Sequence, residues 1–264
     1  LKFELKEGWH IYWRNPGDSG AKPTIDWTLP PGFAAEAIQW PYPERLPAGP
    51  LLNFGYEGEV LLPISVTPPT ALGTDSVTLR AEADWLVCKI DCIPESGTLE
   101  LQLPSTATTP KPDPRWIAQF DRARASLPKP LPGTATANAT DSELALQIEL
   151  PASAATAVER ASFFPDFDGA IVNAAEQILE TDRDGLTLRL QRGYLSELET
   201  LSGVLVLEAT TDLGAIAQAF TVPPVVVTVG TPAPSPVISS VPLWQTFGLA
   251  FLGGIVLNLM PCVF

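Results

Sequence analysis

Apolar and polar residues alternate along most of this chain, and that pattern limits its fold more than any other feature. Three stretches in the first hundred residues show it: Trp9 to Trp13, Ile25 to Leu29 and Val77 to Val87. A period of two residues is typical of half-buried β-strands, whose side chains point in turn to the core and to solvent. With 28 prolines and 19 glycines available for turns, the pattern predicts an all-β protein built of short strands.

A second alternating region follows an interruption near the middle of the chain. It includes Leu144 to Leu150, Leu186 to Leu190, Val204 with Val206, and Phe220 to Val229. Strands that recur at short intervals with turn residues between them favour two β-sandwiches over a single barrel. We therefore predict one sandwich domain over residues 1–104 and a second over residues 134–229.

The interruption, residues 105–133, is rich in Pro, Thr, Ser and Ala and is interpreted as a linker that contains one short helix. Asp113 is suited to cap a helix, and Pro114 is suited to its first turn. Trp116 and Phe120 are four residues apart and would share a face of that helix.

The C-terminal end has the composition of a membrane segment. No charged residue follows Asp212, and the stretch from Leu243 to Phe264 is almost entirely apolar. A helix that crosses a bilayer needs about 20 such residues. We expect residues 230–241 to form a tether and residues 242–264 to begin a transmembrane helix that leads into a larger membrane domain. A buried core helix is the alternative.

The formal net charge of −14 argues against two classes of partner. Nucleic acids and anionic lipid surfaces both attract Lys and Arg rather than Asp and Glu. We therefore expect no nucleic-acid partner, and we expect membrane contact only through the C-terminal segment.

Two of the three cysteines, Cys88 and Cys92, lie four positions apart, whereas Cys262 lies near the C-terminal end. A disulfide needs Cα atoms within about 7 Å, but four steps along an extended strand cover about 13 Å. The chain must therefore turn between the first two, with residues 89–91 as a three-residue hairpin loop. The alternation also places Cys88 on the polar face of its strand, where a partner could reach it.

Three interpretations of the pair remain open at this point. One is a structural bridge in a membrane-tethered binding module. A ring of about five residues stabilises a fold by only about 2 kcal/mol, so such a bridge would contribute little, and redox activity is the stronger interpretation. The third interpretation is Cu(I) binding by two thiolates. Structural zinc needs four Cys or His ligands, and the chain has one histidine, His10, which is interpreted as a rim side chain. We expect no metal site and no cofactor.

Four motifs together carry a resemblance to a known family. They are GWHIYWRNPGDSG (residues 8–20), NFGYEGEVLLPI (53–64), DWLVCKIDCIPE (84–95) and NLMPCVF (258–264). This combination resembles the DsbD-related thiol:disulfide reductants, and specifically their ScsB-like branch. The second region contributes mainly FFPDFDGAIVNAAEQ (163–177) to the resemblance.

The resemblance implies a bacterial inner-membrane protein with residues 1 to about 241 in the periplasm. Its own transmembrane redox domain and a thioredoxin-like domain would pass electrons to an immunoglobulin-like N-terminal domain. That domain would reduce periplasmic thioredoxin-fold client proteins, in processes such as cytochrome c-type biogenesis and copper tolerance.

The resemblance also implies roles for individual residues. Cys92 would be the attacking thiol, Cys88 the resolving one, and Cys262 one of the two redox cysteines of the membrane domain. An aromatic cap covers the pair in the family, and Phe54 or Tyr56 matches it here. The family separates its cysteines by five residues, whereas only three intervene in this chain, so the loop is tighter.

Overall fold

The alternating segments form antiparallel β-strands, as predicted. The computed structural model describes residues 1–73, 75–105, 111–150, 158–182, 185–211 and 214–229. Strands make up 57% of the structure, and the described residues contain one helix. The all-β class is therefore confirmed. The predicted tether and transmembrane segment, residues 230–264, lie outside the described residues.

The described residues contain eighteen strands and one helix. They are β1 (Lys2–Glu4), β2 (His10–Gly17), β3 (Thr24–Thr28), β4 (Ala34–Ala35), β5 (Glu44–Ala48), β6 (Leu51–Glu57), β7 (Glu59–Leu61), β8 (Val66–Thr67), β9 (Ser76–Cys88), β10 (Cys92–Pro104), α1 (Pro114–Ala125), β11 (Lys129–Pro130), β12 (Ala135–Ala139), β13 (Glu143–Glu149), β14 (Arg160–Pro165), β15 (Ile178–Thr181), β16 (Gly185–Gln191), β17 (Thr200–Thr211) and β18 (Gly214–Val229).

The strands of the first 104 residues form one large sheet and two small ones. The large sheet has the order β10-β9-β2-β6-β5, with β3 also paired to β9. The pairs β1-β7 and β4-β8 form separate two-stranded sheets. Among the described strands β10 pairs only with β9 and lies at the edge of the sheet, whereas β2 lies in the middle.

The second region forms an eight-stranded sheet with the order β14-β17-β18-β12-β13-β16-β15, and β11 is also paired to β18. Strand β18 pairs with β17 along most of its length and with β12 near its end. The core enclosed by this sheet contains Leu144, Leu146, Leu188 and Leu190, all of which the sequence predicted to point inward.

Helix α1 begins where the sequence predicted. The Asp113 side chain accepts a hydrogen bond from the backbone N–H of Arg115, and Pro114 occupies the first turn. This arrangement satisfies one of the amide groups that a helix start leaves without a partner.

The two large sheets share a second hydrophobic core. Ile11, Trp13 and Phe54 of the first region pack in one cluster with Phe164 and Val204 of the second. Residues 1–229 form one compact unit. The division into domains 1–104 and 134–229, with a linker at 105–133, stays a prediction.

Burial on both faces distinguishes β2 and β17 from ordinary half-buried strands. In β2, His10, Ile11, Tyr12 and Trp13 are all buried, so the prediction that this strand is half-buried was wrong. The reason is its central position, because one face packs on the shared core and the other faces the residues around the cysteine pair. In β17 the odd-numbered residues Leu205 and Leu207 face the core of the second sheet. The even-numbered residues Val204 and Val206 face the shared core.

Polar contacts between the same two regions surround the shared core. The Asn15 amide donates to the Pro165 carbonyl at 2.8 Å, and both groups are buried. The Arg14 guanidinium pairs with Asp166. The Arg45 guanidinium of the first region donates to the Asn173 carbonyl of the second at 2.9 Å.

We predict that Phe164→Ala destabilises the protein by about 3 to 5 kcal/mol, the usual cost of truncating a buried phenylalanine. Its ring is only 3% exposed and lies 6.2 Å from the Trp13 ring and 5.1 Å from the Phe54 ring. Urea unfolding measures the loss, and Tyr194→Ala, at a side chain that is 74% exposed, is the control. A cost below about 1 kcal/mol would show that the shared core contributes little.

Candidate functional site

Cys88 and Cys92 form a disulfide across the end of the β9-β10 hairpin, with their Cα atoms 4.2 Å apart. The two residues are register partners, and Lys89, Ile90 and Asp91 form the loop between them. The hairpin predicted from the cysteine spacing is therefore confirmed. Ile90, at the tip of the loop, is 92% exposed.

The two cysteines differ sharply in exposure. Cys88 is only 3% exposed, whereas Cys92 lies on the exposed edge strand. The alternation of β9 does place Arg80, Glu82 and Asp84 in solvent. The prediction that Cys88 shares this accessibility was wrong, because neighbouring side chains of β2 cover its end of the strand.

Two side chains of β2 cover the buried cysteine. His10 is the register partner of Cys88, so the two side chains lie on the same face of the sheet. The Tyr12 hydroxyl donates a hydrogen bond to Cys88 Sγ at 2.9 Å and lies 3.4 Å from Cys92 Sγ. Tyr12 is 1% exposed. A single phenol group therefore contacts both sulfur atoms.

The ring of Tyr12 packs directly against Gly20. A Cβ atom on Gly20 would lie 2.1 Å from the Tyr12 ring, and the φ of Gly20 is +95°. Gly55, which has no side chain, is the register partner of Tyr12 on β6. A larger residue at position 20 would therefore displace the ring that contacts the disulfide.

The loop that carries Gly20, residues 15–20, is fixed by side-chain hydrogen bonds. Asp18 accepts one from the Leu52 backbone N–H at 2.7 Å and another from the Asn173 side chain at 2.8 Å. Asn53 accepts from both the backbone and the hydroxyl of Ser19. The last residue of this turn, Gly20, packs on Tyr12, so the turn helps to position the ring at the disulfide.

Phe54 and Tyr56, predicted as a cap, both point to the shared core. Phe54 is fully buried beside Phe164, and the Tyr56 hydroxyl donates to the Pro41 carbonyl at 2.7 Å. Tyr56 is the register partner of Ile11, so both face away from the side of the sheet that carries Tyr12. The aromatic side chain at the sulfur atoms is Tyr12.

Burial controls the protonation of the groups around the disulfide. It lowers the pKa of His10, and the nearby Glu57 carboxylate partly opposes this effect. It also raises the pKa of Tyr12, so the phenol stays protonated and able to donate. Lys89, which could lower a thiol pKa, donates its ammonium group to the Glu7 carbonyl at 3.2 Å.

His10 is buried, not at the rim as the sequence suggested. Its side chain is 8% exposed, and its ring lies 5.2 Å from the Tyr12 ring in an edge-on arrangement. The motif WHIYW contains both residues two positions apart, which places them on one face of β2. That spacing was the sequence signal for the site on β2, although nothing in it indicated which face meets the cysteines.

Other predicted features lie outside what the structure describes. Cys262 is one of them, so its predicted redox role stays a prediction. Among the described residues, no group of three or more His, Cys, Asp or Glu side chains could hold a metal ion. No helix in the described part of the chain is long and apolar enough to span a membrane.

Residues 1–104 match the family model of the N-terminal part of the thiol:disulfide interchange protein DsbD. Neither the curated proteins nor the solved structures include a match to this chain. Domains of the matching family are in general periplasmic and interact with thioredoxin-fold partners. The family match of residues 1–104 and the Cys88–Cys92 disulfide together indicate a role in thiol-disulfide interchange.

We predict that Tyr12→Phe raises the pKa of the Cys88 thiol in the reduced protein. A hydrogen bond to a charged group contributes about 1.5 kcal/mol, which corresponds to about one pKa unit. The ¹³C NMR shift of the Cys88 β-carbon, followed against pH, measures the change. Tyr42→Phe, at a half-buried tyrosine, is the control. An unchanged pKa would show that the phenol does not stabilise the thiolate.

We predict that the titration of His10 makes the free energy of unfolding depend on pH. His10 in the unfolded chain takes up a proton near its ordinary pKa of about 6.5, whereas the folded protein binds that proton only at lower pH. The stability that neutral His10 contributes is therefore complete above about pH 6.5 and decreases as the pH falls towards the folded pKa.

Urea unfolding at several pH values between 7.5 and 5 tests this dependence. We expect the wild-type protein to lose more stability over this range than His10→Gln, because the variant lacks the titrating group. Equal losses in the two proteins would contradict the prediction. The comparison between variants removes the contribution of carboxylates such as Glu44, whose pKa burial raises.

Proposed function

We propose that residues 1–104 act as a thiol-disulfide reductase, in which Cys88 and Cys92 pass two electrons to the disulfide of a periplasmic thioredoxin-fold client. The observation that carries the proposal is the unequal exposure of the two cysteines. An exchange reaction needs one sulfur that a partner can reach and a second that is held beside it.

Cys92 is suited to be the attacking thiol, because it is the exposed member of the pair and lies on the edge strand. Its thiolate would attack a client disulfide and form a mixed disulfide. Cys88 would then attack Cys92 and release the reduced client. Its burial keeps it from competing partners while its register position keeps it beside Cys92.

The surface around Cys92 is suited to a protein partner. Ile90 is 92% exposed and Ile93 is 44% exposed, so apolar side chains flank the reactive sulfur. A shallow groove of about 340 Å³ runs beside the hairpin, and its lining includes Lys22, Trp85 and Glu95. Exposed apolar residues with a polar rim are typical of interaction sites.

The wider role follows from the resemblance of the sequence to the ScsB-like branch. We propose that Cys262 belongs to a membrane domain that supplies the electrons to Cys88 and Cys92. We also propose that the protein is anchored in the bacterial inner membrane. A thioredoxin-like domain would deliver electrons to that membrane domain. Residues 1 to about 241 would then lie in the periplasm.

The reduction potential of the pair tests the proposal. We predict a value between about −200 and −270 mV, in the range of known disulfide exchangers, whereas structural disulfides lie below about −300 mV. The measurement uses the whole chain with Cys262→Ser, equilibrated in thiol buffers and then alkylated. A pair that remains oxidised below about −300 mV would identify a structural bridge and exclude the reductase.

Trapping distinguishes the two cysteines. Cys88→Ser leaves Cys92 able to attack but unable to be resolved, so we expect it to accumulate a mixed disulfide with an oxidised thioredoxin-fold protein. Cys92→Ser is the matched control and should accumulate far less. Both variants carry Cys262→Ser, and non-reducing gels followed by mass spectrometry identify the linked residues. Equal trapping by both variants would contradict the assigned roles.

A further inference from the structure

Four side chains with acid-base or thiol chemistry form one row across the large sheet. Glu57 of β6 is the register partner of His10 of β2. His10 is in turn the partner of Cys88 of β9, and Cys88 is the partner of Cys92 of β10. Directly opposed residues of antiparallel strands have Cβ atoms about 4.5 to 5.5 Å apart on the same face. A carboxylate, an imidazole and the two sulfurs are therefore consecutive neighbours.

The imidazole of His10 has an unused hydrogen-bonding atom. His10 is 8% exposed, and its buried Nε2 atom has no hydrogen-bond partner among the residues that the structure describes. A buried polar atom without a partner costs free energy, and such atoms in folded proteins often belong to functional sites. In the disulfide form Cys88 has no proton to donate. Reduction creates an S–H group on Cys88, the register partner of His10, and this group is the candidate donor to the imidazole.

Burial and the Glu57 carboxylate act on the pKa of His10 in opposite directions. Burial lowers its pKa, so the imidazole is unprotonated at neutral pH and can accept a proton. The Glu57 carboxylate on β6 would stabilise the imidazolium once the proton arrives. Tyr12 on the same strand stays protonated, and Lys89 of the hairpin loop is bonded to the Glu7 carbonyl.

We propose that His10 is the general base for the Cys88 thiol in the resolving step, and that Glu57 supports it. The proposal rests on the proposed function and assigns a proton acceptor to one of its two steps. It also gives a reason for the buried position of Cys88, because a thiol removed from water needs a nearby group to take its proton.

The reaction consists of two successive thiol-disulfide exchanges. The Cys92 thiolate attacks a client disulfide, so a Cys92–client bond forms, the client S–S bond breaks and one client thiolate leaves. His10 then takes the proton of Cys88, whose thiolate attacks Cys92 Sγ. The Cys88–Cys92 bond forms as the mixed disulfide breaks. Two electrons pass to the client, and the proton on His10 goes to the second leaving thiolate or to solvent.

A small disulfide separates the two steps. We would mix the reduced chain, carrying Cys262→Ser, with 2,2′-dithiodipyridine and follow the release of pyridine-2-thione by stopped flow. The first equivalent reports the attack by Cys92, and the second reports resolution by Cys88. Pyridine-2-thione needs no general acid to leave, so the second phase isolates proton removal from Cys88.

We expect His10→Gln to slow the second phase by about 100-fold at neutral pH, which is within the usual range for general-base catalysis. In the wild-type protein the rate of this phase should fall at low pH with the protonation of His10. The variant should lose that inflection and follow the ionisation of the thiol alone. A second phase with unchanged rate and unchanged pH profile in His10→Gln would overturn the proposal.

Glu57→Gln provides a second test at an exposed residue, where loss of folding is not a concern. Because Glu57 raises the pKa of His10, its removal should move the pH midpoint of the second phase to lower pH. Glu82→Gln, on the solvent face of β9, removes the same charge and is the control. Identical midpoints in the two variants would exclude a role for Glu57.

These outcomes are distinguishable from a failure of the proposed function. If the pair is a structural bridge, its reduction potential lies in the structural range, whatever the kinetics of the small disulfide. If the pair is a reductase without a histidine base, the potential and the client trapping remain as predicted, and only the pH profile of the second phase contradicts the role of His10.

Discussion

The two faces of strand β2 connect the redox pair to the rest of the structure. On one face, His10 and Tyr12 cover Cys88. On the other, Ile11 and Trp13 enter the core that the two large sheets share. A β-strand sends successive side chains to opposite faces, so any displacement of β2 acts on both sides at once. The geometry of the disulfide therefore depends on packing that lies on the far side of the sheet.

This dependence explains why the two cysteines differ although they are neighbours across one hairpin. A hairpin alone would leave Cys88 and Cys92 in similar surroundings, because the two residues directly flank the same three-residue loop. The difference comes from strand order, since β9 has β2 on its inner side, whereas β10 is the last strand of the sheet in the described part of the chain. One thiol is enclosed by an imidazole and a phenol, and the other is presented at a sheet edge. That asymmetry suits a two-step exchange.

Local sequence signals predicted the local structure well. The spacing of the cysteines required a turn, and Asp113 with Pro114 specified the start of α1. The alternation in β9 predicted correctly which side chains are exposed as far as Asp84, because that part of the strand has solvent on one face. The environment of Cys88 could not be predicted in this way. It depends on residues some 76 to 78 positions earlier in the chain, and no local pattern encodes which strands become neighbours.

The shared core also shows what the second region contributes to the first. A strand such as β2, with apolar residues on one face and the groups of a site on the other, needs a second layer to bury its apolar face. Phe164 and Val204 of the second region supply part of that layer. The buried bond from Asn15 to Pro165 and the ion pair of Arg14 with Asp166 fix the adjoining half of β2. The family match ends at residue 104, but the packing that holds Tyr12 and His10 in place extends well beyond it.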